Sequence, residues 1–314
     1  MSAAFPAPPA ARIATLTLNP SIDNACEADA VRHTQKTRTF NERMDPGGGG
    51  INVARVLGRV GADVNALYLA GGFTGRLLDE LLERERVART RLAIADDTRL
   101  SVAVYERSTG VEYRFVPEGP EVADAEWRAC LEHVAATACD YLVASGSLPR
   151  GVPDDFYVQL AQRLPRTTRL VLDTSGEALR EALAHGGLFM IKPSRGEFEE
   201  LVGRPLPDTG AIIAAAADIV ARGGSELVAV TLGRDGAVLA TPAGAAFVPA
   251  LAVDTRSAVG AGDSFLAAMV YGLAAGVAAD DALRLGIAAG AAAALTPGTD
   301  LAFAADIERL YAAA

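Results

Sequence analysis

The stretch Ser257-Ala-Val-Gly-Ala-Gly-Asp-Ser-Phe265 sets a carboxylate beside a glycine turn where a long apolar helical pattern begins. Gly260, Ala261 and Gly262 carry little or no side chain, so their N–H groups can approach a ligand closely. A helix starting there aims its positive dipole end at a phosphate. Asp263, at that entrance, can take a proton from an attacking hydroxyl while the amides stabilise a phosphoryl group in flight. Taken alone, the segment fits equally well an aspartate capping a helix after a glycine turn.

A second cluster, Pro46-Gly-Gly-Gly-Gly-Ile-Asn-Val-Ala-Arg55, again runs a glycine turn into a helical pattern. Backbone at Gly48 and Gly49 can lie against a ligand, and Asn52 can hydrogen-bond a hydroxyl pair. Asp23, just past the first strand-like run, is placed to accept hydrogen bonds from sugar hydroxyls, or is an ordinary loop aspartate. The glycines are not a nicotinamide fingerprint, which would have to follow the first strand directly; Asn19-Pro20 and a long irregular segment intervene, and a Walker A loop is absent. Of 29 basic residues only Lys36 and Lys192 are lysines, which points to places where a compact ammonium is wanted and a planar fork is not. Lys36, with Arg38 close by and Arg99 further on, makes a candidate phosphate cluster, with solvated surface charge as the plain alternative for the two arginines.

These side chains need a frame. Strand-like runs at Ile13–Leu18, Ala66–Ala70, Tyr141–Ala144, Arg169–Leu172, Phe189–Ile191 and Leu227–Leu232 take turns with helical patterns, among them Ile51–Arg59, Gly75–Arg86, Ala125–Ala136, Asp154–Arg163, Glu177–Ala184, Arg195–Val202 and Ala211–Ala221. This alternation predicts an α/β fold, a doubly wound and mainly parallel sheet flanked by helices, with ligands at the carboxyl ends of the strands. Two places break it. Asp23–Met44 is irregular and extended, and Leu100–Val116 carries two strand-like runs around Ser108-Thr109-Gly110, the pattern of a hairpin. Both are expected to form a small β-sheet lid, residues 23–44 and 99–117, inserted in one domain spanning 12–314. A lid over the strand ends would exclude water from a transfer reaction. Asp263–Ala275 and Asp280–Leu295 are expected to be neighbouring helices packed through small residues, and the Ala/Pro-rich residues 1–11 a flexible tail without the marks of a signal peptide.

Composition narrows the function classes. With 314 residues and 50% hydrophobic content the chain can bury a large core. A formal net charge of -10 argues against nucleic-acid or membrane-surface partners, which favour a basic face, and no apolar run reaches membrane-spanning length. Cys26, Cys130 and Cys139 have neither the number for a disulfide framework nor the spacing of a zinc site, so reduced thiols in a cytoplasm are expected.

Gly47-Gly-Gly-Gly-Ile-Asn-Val-Ala-Arg55 and Val259-Gly-Ala-Gly-Asp-Ser264 resemble the two signature regions of the ribokinase-like, PfkB-type carbohydrate kinases. Thr17–Asp23, Ser145–Pro149, Asp173–Leu179, Lys192–Glu197 and Thr231–Gly236 lie between them in the family's order, so the likeness runs from Arg12 to Thr299. The four-glycine run, Glu112–Val116 and Ala288–Ala293 are similar to the branch of minor bacterial ATP-dependent 6-phosphofructokinases, whereas 1-phosphofructokinases and tagatose-6-phosphate kinases usually carry Gly-Gly-Lys-Gly. The resemblance implies a phosphotransferase with an alcohol acceptor, moving phosphate from ATP to the 1-hydroxyl of fructose 6-phosphate with Mg2+. It implies Asp263 as base and Gly260, Ala261 and Gly262 as anion hole. Asp23, Gly48, Gly49, Asn52 and Ser145 would hold the sugar, and Lys36, Arg38 and Arg99 its 6-phosphate. Lys192, Ser194, Thr231, Gly233 and Gly236 would line the ATP side, and Glu197 would order Mg2+ through water.

Three departures stand out: Ser194 replaces the Asn of the family's N-x-x-E motif, Ala258 replaces its usual Thr, and Thr296–Asp300 differs from the usual residues where relatives bind a monovalent cation such as K+. Altered ion or nucleotide affinity is the expected consequence. Small-molecule substrates and a homodimer through the lid complete the implied partners. A 1-phosphofructokinase, a tagatose-6-phosphate kinase, a kinase of an unphosphorylated sugar or nucleoside and a non-catalytic sugar-phosphate or nucleotide sensor remain the alternatives.

Overall fold

The computed structural model describes residues 4–313. The first half of the chain contains β1 (Ile13–Thr17), β2 (Ser21–Ala28), β3 (Phe40–Gly47), α1 (Gly49–Arg59), β4 (Val64–Gly71), α2 (Gly72–Arg84), β5 (Ala88–Ile94), β6 (Arg99–Glu106), β7 (Val111–Phe115) and α3 (Asp124–Ala136). There follow β8 (Tyr141–Ser145), α4 (Phe156–Arg163), β9 (Arg169–Asp173), α5 (Gly176–His185), β10 (Leu188–Ile191), α6 (Arg195–Val202), α7 (Thr209–Ala221), β11 (Ser225–Thr231), β12 (Ala237–Thr241) and β13 (Gly244–Val248). Three helices end the chain: α8 (Ala261–Ala274), α9 (Ala279–Ala294) and α10 (Ala304–Ala312).

Nine strands form one sheet in the order β13-β12-β11-β10-β9-β8-β1-β4-β5. The run from β5 to β11 is parallel, and β12 and β13 add to its edge antiparallel. Side chains alternate between faces, so Ile13 of β1 joins one core while Ala14 and Leu16 join the other. Ile51, Leu78, Phe265, Leu283 and Ile307 bring α1, α2, α8, α9 and α10 to the first face. Trp127, Phe156, Leu179, Phe198 and Ile212 bring α3 to α7 to the second. Both faces of the central parallel strands are therefore dry, which explains why β8 reads as an unbroken apolar run with every residue buried.

The expected strands and helices are present. Three edge pieces were not expected from the sequence. β5 contains Arg89 and Arg91 and is largely solvated at the sheet edge, a composition that protects an edge from pairing and hides it from hydrophobic pattern. The β12–β13 hairpin is rich in alanine and glycine, a weak strand signal. α10 is short, and only Ile307, Leu310 and Tyr311 are buried.

A second sheet of four strands, in the order β3-β2-β6-β7, stands apart from the first. β6 and β7 form the expected hairpin, pairing Val102 with Phe115 and Glu106 with Val111. β2 pairs with β6 of that hairpin in parallel and with β3 antiparallel on its other side, so the irregular segment supplies two true strands whose ends reach Ser21 and Gly47. The N-terminal stretch is seated on the body: Phe5 packs on Tyr271 and Tyr311, and Tyr271 donates a hydrogen bond to the carbonyl of Pro6 at 2.9 Å. An aromatic contact of this kind anchors what composition alone casts as a tail; residues 1–3 of that stretch lie outside the described residues.

Candidate active site

The late glycine turn does begin a helix. Gly260 is the N-terminal cap of α8 with φ 71°, and a Cβ there would lie 2.3 Å from Leu301 Cδ2, so only glycine fits. The first intrahelical bond runs from the N–H of Ser264 to Gly260 O at 2.8 Å. The amides of Ala261, Gly262 and Asp263 therefore precede the helical ladder and are available to an anion at the positive end of the helix.

Asp263 meets the early glycine cluster across 211 residues of sequence: Asn52 Nδ2 donates to its Oδ2 at 2.8 Å. Asn52 stands in the first turn of α1, which starts after Gly48 with φ 113°. Gly48 and Gly49 are pressed against the strand ends, since added Cβ atoms would lie 2.7 Å from Thr17 Cγ2 and 2.1 Å from Ser145 Oγ respectively. Ser145 closes β8, and its hydroxyl donates to Asp173 Oδ2 at 3.0 Å. Asp23 lies on β2 beside Gly47, accepting a hydrogen bond from Ser21 Oγ at 2.6 Å.

Lys192 follows β10 and is buried, with its Nζ 3.0 Å from Asp173 Oδ1. A Cβ on Gly262 would lie 3.6 Å from that Nζ, so the ammonium sits directly beside the turn at the head of α8. Burial alone would lower the pKa of Lys192, but the carboxylates of Asp173, Asp263 and Glu197 hold it above its ordinary value. Burial likewise pushes Asp173 up, against the pull of Lys192. Asp263 is raised to about 6, chiefly by burial and secondarily by the charge of Asp173, while Asn52 and Lys192 act the other way. A carboxyl near 6 is ionised at neutral pH and is a stronger base than an ordinary aspartate.

The nucleotide-side expectations divide. Ser194 and Thr231 are bridged across the ends of β10 and β11, next to Lys192. Gly233 opens a short 3-10 turn and has open space where a side chain would be. Gly236 is explained by packing, because a Cβ there would stand 2.1 Å from the carbonyl oxygen of Val248. Ser194 and Glu197 form a reciprocal cap on α6: the N–H and hydroxyl of Ser194 each donate to Glu197 Oε2 at 2.7 Å. The serine that replaces the family's asparagine thus holds one oxygen of Glu197. Among the described residues no three His, Cys, Asp or Glu side chains gather as a metal-ligating group. The donor set suits Mg2+ carried largely by phosphate oxygens, with Glu197 and Asp173 as the nearby carboxylates.

The structure does not bring the expected phosphate cluster of Lys36, Arg38 and Arg99 together. Arg99 is committed to backbone, its Nη1 donating to Pro117 O at 3.0 Å and its Nη2 to Asn19 O at 2.8 Å, and burial depresses its pKa. Lys36 and Arg38 are exposed on the segment joining β2 and β3 and make no hydrogen bond or ion pair to the groups above among the described residues. The small sheet is tied to the 296–301 loop by Thr299 Oγ1 donating to Asp45 at 2.5 Å and by Arg43 Nη1 3.3 Å from Asp300. A cavity of about 310 Å³ opens beside this tie, lined by Cys26, Arg43, Tyr105, Arg256 and Thr299; Asp263, Asn52 and Lys192 do not line it.

Asp173 and Arg55 were not singled out from the sequence. An aspartate ending a strand-like run at the carboxyl edge of a parallel sheet is a usable signal for Asp173; nothing in the sequence shows that Arg55 turns inward.

Comparison with known proteins bears on the family and the fold. Residues 16–305 match the model of the pfkB family carbohydrate kinases. The chain is 43% identical over 303 residues to the ATP-dependent 6-phosphofructokinase isozyme 2 of Mycobacterium tuberculosis, covering 96% of this chain and 89% of that protein. Two crystal structures of Escherichia coli phosphofructokinase-2 superpose on it. One is in complex with fructose-6-phosphate (TM-score 0.91, 37% identity) and the other in complex with potassium (TM-score 0.93, 38% identity). Each covers 96% of this chain and 99% of the E. coli chain. With the sheet order, both glycine turns and the Asp263–Asn52 contact in place, the chain belongs to the pfkB family of carbohydrate kinases.

Proposed function

We propose that the protein is an ATP-dependent 6-phosphofructokinase, converting fructose 6-phosphate and ATP to fructose 1,6-bisphosphate and ADP. The observation that carries this reading is Asp263, a base raised to about 6, held by Asn52 at the head of α8 between the sugar-side glycine turn and Lys192. Asp263 takes the proton of the C1 hydroxyl, whose oxygen forms a bond to the γ-phosphorus as the bond to ADP breaks. The amides of Ala261 and Gly262 and the ammonium of Lys192 face the transferring group and offset its charge. Asp23, Gly48, Gly49, Asn52 and Ser145 orient the sugar. Ser194, Thr231 and Gly233 border the nucleotide, and Gly236 shapes that border through its packing.

Mg2+ would be held near Glu197 and Asp173, and when bound it neutralises charge on the ATP phosphates. K+ is the monovalent ion proposed for the 296–300 loop beside the anion hole. The four-stranded sheet, comprising segments 23–44 and 99–117, serves as a lid, with Lys36, Arg38 and Arg99 meeting the 6-phosphate when it closes. Phe115 and Val116 are 60% and 54% exposed on that sheet and its end, and Tyr105 and Val111 are also exposed, which supports a homodimer formed through it. A cytoplasmic location fits these substrates; no described helix is long and apolar enough to cross a membrane.

The test is a coupled assay of purified protein with Mg-ATP against fructose 6-phosphate, fructose 1-phosphate, tagatose 6-phosphate and unphosphorylated fructose. Preference for fructose 6-phosphate is expected. A preference for fructose 1-phosphate, or no ADP release with any sugar, would overturn the reading.

A further inference from the structure

One guanidinium is buried beside Asn52, facing two carboxylates that each have a second basic partner. Arg55 lies on α1, 2% exposed and one turn beyond Asn52, so the two side chains share a helix face. Its Nη1 donates to Pro46 O at 3.2 Å and to Asn52 Oδ1 at 3.5 Å. Its Nη2 lies 3.3 Å from Glu85 Oε1 and 3.9 Å from Asp45 Oδ1, and its Nε has no hydrogen-bond partner among the described residues. Burying a partly unsatisfied cation is costly, and breaking such a pair is damaging chiefly when it orphans the partner. Here neither carboxylate would be orphaned: Asp45 also has Arg43 Nε at 2.8 Å, and Glu85 has Arg59 Nη2 at 3.2 Å.

The remaining side-chain contact is the one to the amide that touches Asp263. Asn52 turns its Oδ1 to Arg55 and its Nδ2 to Asp263 Oδ2. The amide dipole therefore lies between a cation and an anion with each end toward the opposite charge. A flipped amide would set oxygen against carboxylate and NH2 against guanidinium. We infer that Arg55 is a positioning residue: by fixing the amide of Asn52 it keeps a donor on Asp263 and holds that carboxylate where the sugar hydroxyl must deliver its proton. This rests on the reading of Asp263 as the base. The other charged groups facing Asp263 are Asp23 from β2, Asp173 from the end of β9 and Lys192 after β10. Arg55 makes no hydrogen bond or ion pair with any of them among the described residues, so its influence runs through Asn52.

The experiment is a double-mutant cycle of Arg55→Met and Asn52→Ala, read as kcat for fructose 6-phosphate across pH, with Asp263→Asn as reference. Arg55→Met is expected to lower kcat about tenfold, within the range of coupling between contacting residues. It is also expected to move the acidic limb of the kcat profile upward, because a donor to the ionised carboxylate has been loosened. In the Asn52→Ala background the same substitution is expected to change kcat less than about twofold, as residues acting as a unit do. Additive losses, or a folded Arg55→Met variant with unaltered kcat and unmoved limb, would overturn the inference. Should Arg55→Met not fold, Arg55→Lys carries the same cycle with the charge retained, and additive losses there overturn it equally. Substantial turnover by Asp263→Asn would instead sink the assignment of the base; an inert Asp263→Asn with additive Arg55 and Asn52 effects sinks this inference alone.

Discussion

Replacing Asp263 by Asn removes a proton acceptor and a half-buried negative charge at once, and the two consequences run in opposite directions. Loss of a positioned general base lowers turnover by roughly 10²- to 10⁴-fold. Stability should rise. The carboxyl is lifted from its ordinary 3.8 to about 6 in the fold, mainly by burial and then by Asp173, so the folded chain holds this proton more tightly than the unfolded chain does. Between those two values stability falls as pH rises, and above about 6 the full penalty is present, at most about 3 kcal/mol. At pH 5 the penalty is about half that. Asn carries no such charge, so Asp263→Asn is expected to raise Tm by roughly 4 °C at pH 8 and clearly less at pH 5, taking the unfolding entropy appropriate to a chain of 314 residues. The carboxamide can still accept from Asn52, which keeps the local geometry comparable. Turnover comes from the coupled assay, Tm from calorimetry at both pH values, and sugar-phosphate binding from titration without ATP. A variant with more than about 1% of parental turnover would show that Asp263 is not the base, whose loss should cost 10² or more. A Tm change that is negative, or equal at the two pH values, would refute the electrostatic account.

Other expectations follow from the same geometry. Ser194→Ala removes the hydroxyl that donates to Glu197 at 2.7 Å, so it should cost about 1 kcal/mol as a lost helix cap and raise the Mg2+ concentration needed for half-maximal rate. A variant with unchanged Tm and Mg2+ dependence would remove the pair from any metal role. Lys36→Ala should raise KM for fructose 6-phosphate while leaving kcat nearly intact, and equal KM values in variant and parent would take Lys36 out of the phosphate site. If the proposed lid-to-lid homodimer forms, Phe115→Asp, which places a charge on the exposed face of the small sheet, should convert dimer to monomer by light scattering. A parent protein that is already monomeric, or a variant of unchanged dimeric mass, would refute that interface.

Local chemistry was legible in the amino-acid order. The two glycine turns and the helices that follow them depend on residues within one turn of each other, as does the strand–helix alternation, and each appears where expected. The four-stranded sheet was legible as a break in that alternation, although its pairing, with β2 between β3 and β6, requires partners about 80 residues apart. Edges were harder. β5 and the β12–β13 hairpin are covered on at most part of their surface, so burial imposes little apolar pattern on them.

What the sequence by itself determined is the set of reactive groups and the local conformations that carry them: Asp263 at a helix entrance, Asn52 one turn into another, Lys192 after a strand. Only the tertiary structure decided their electrostatic state. Asp173 comes to Lys192, Asn52 to Asp263 and Arg55 beneath Asn52 because β9 and β10 end, and α1 and α8 begin, at the carboxyl ends of the parallel strands. A pKa depends on burial and on charges within a few ångströms, and those neighbours come from segments far apart in the chain, so no local pattern could have encoded the upward shift at Asp263.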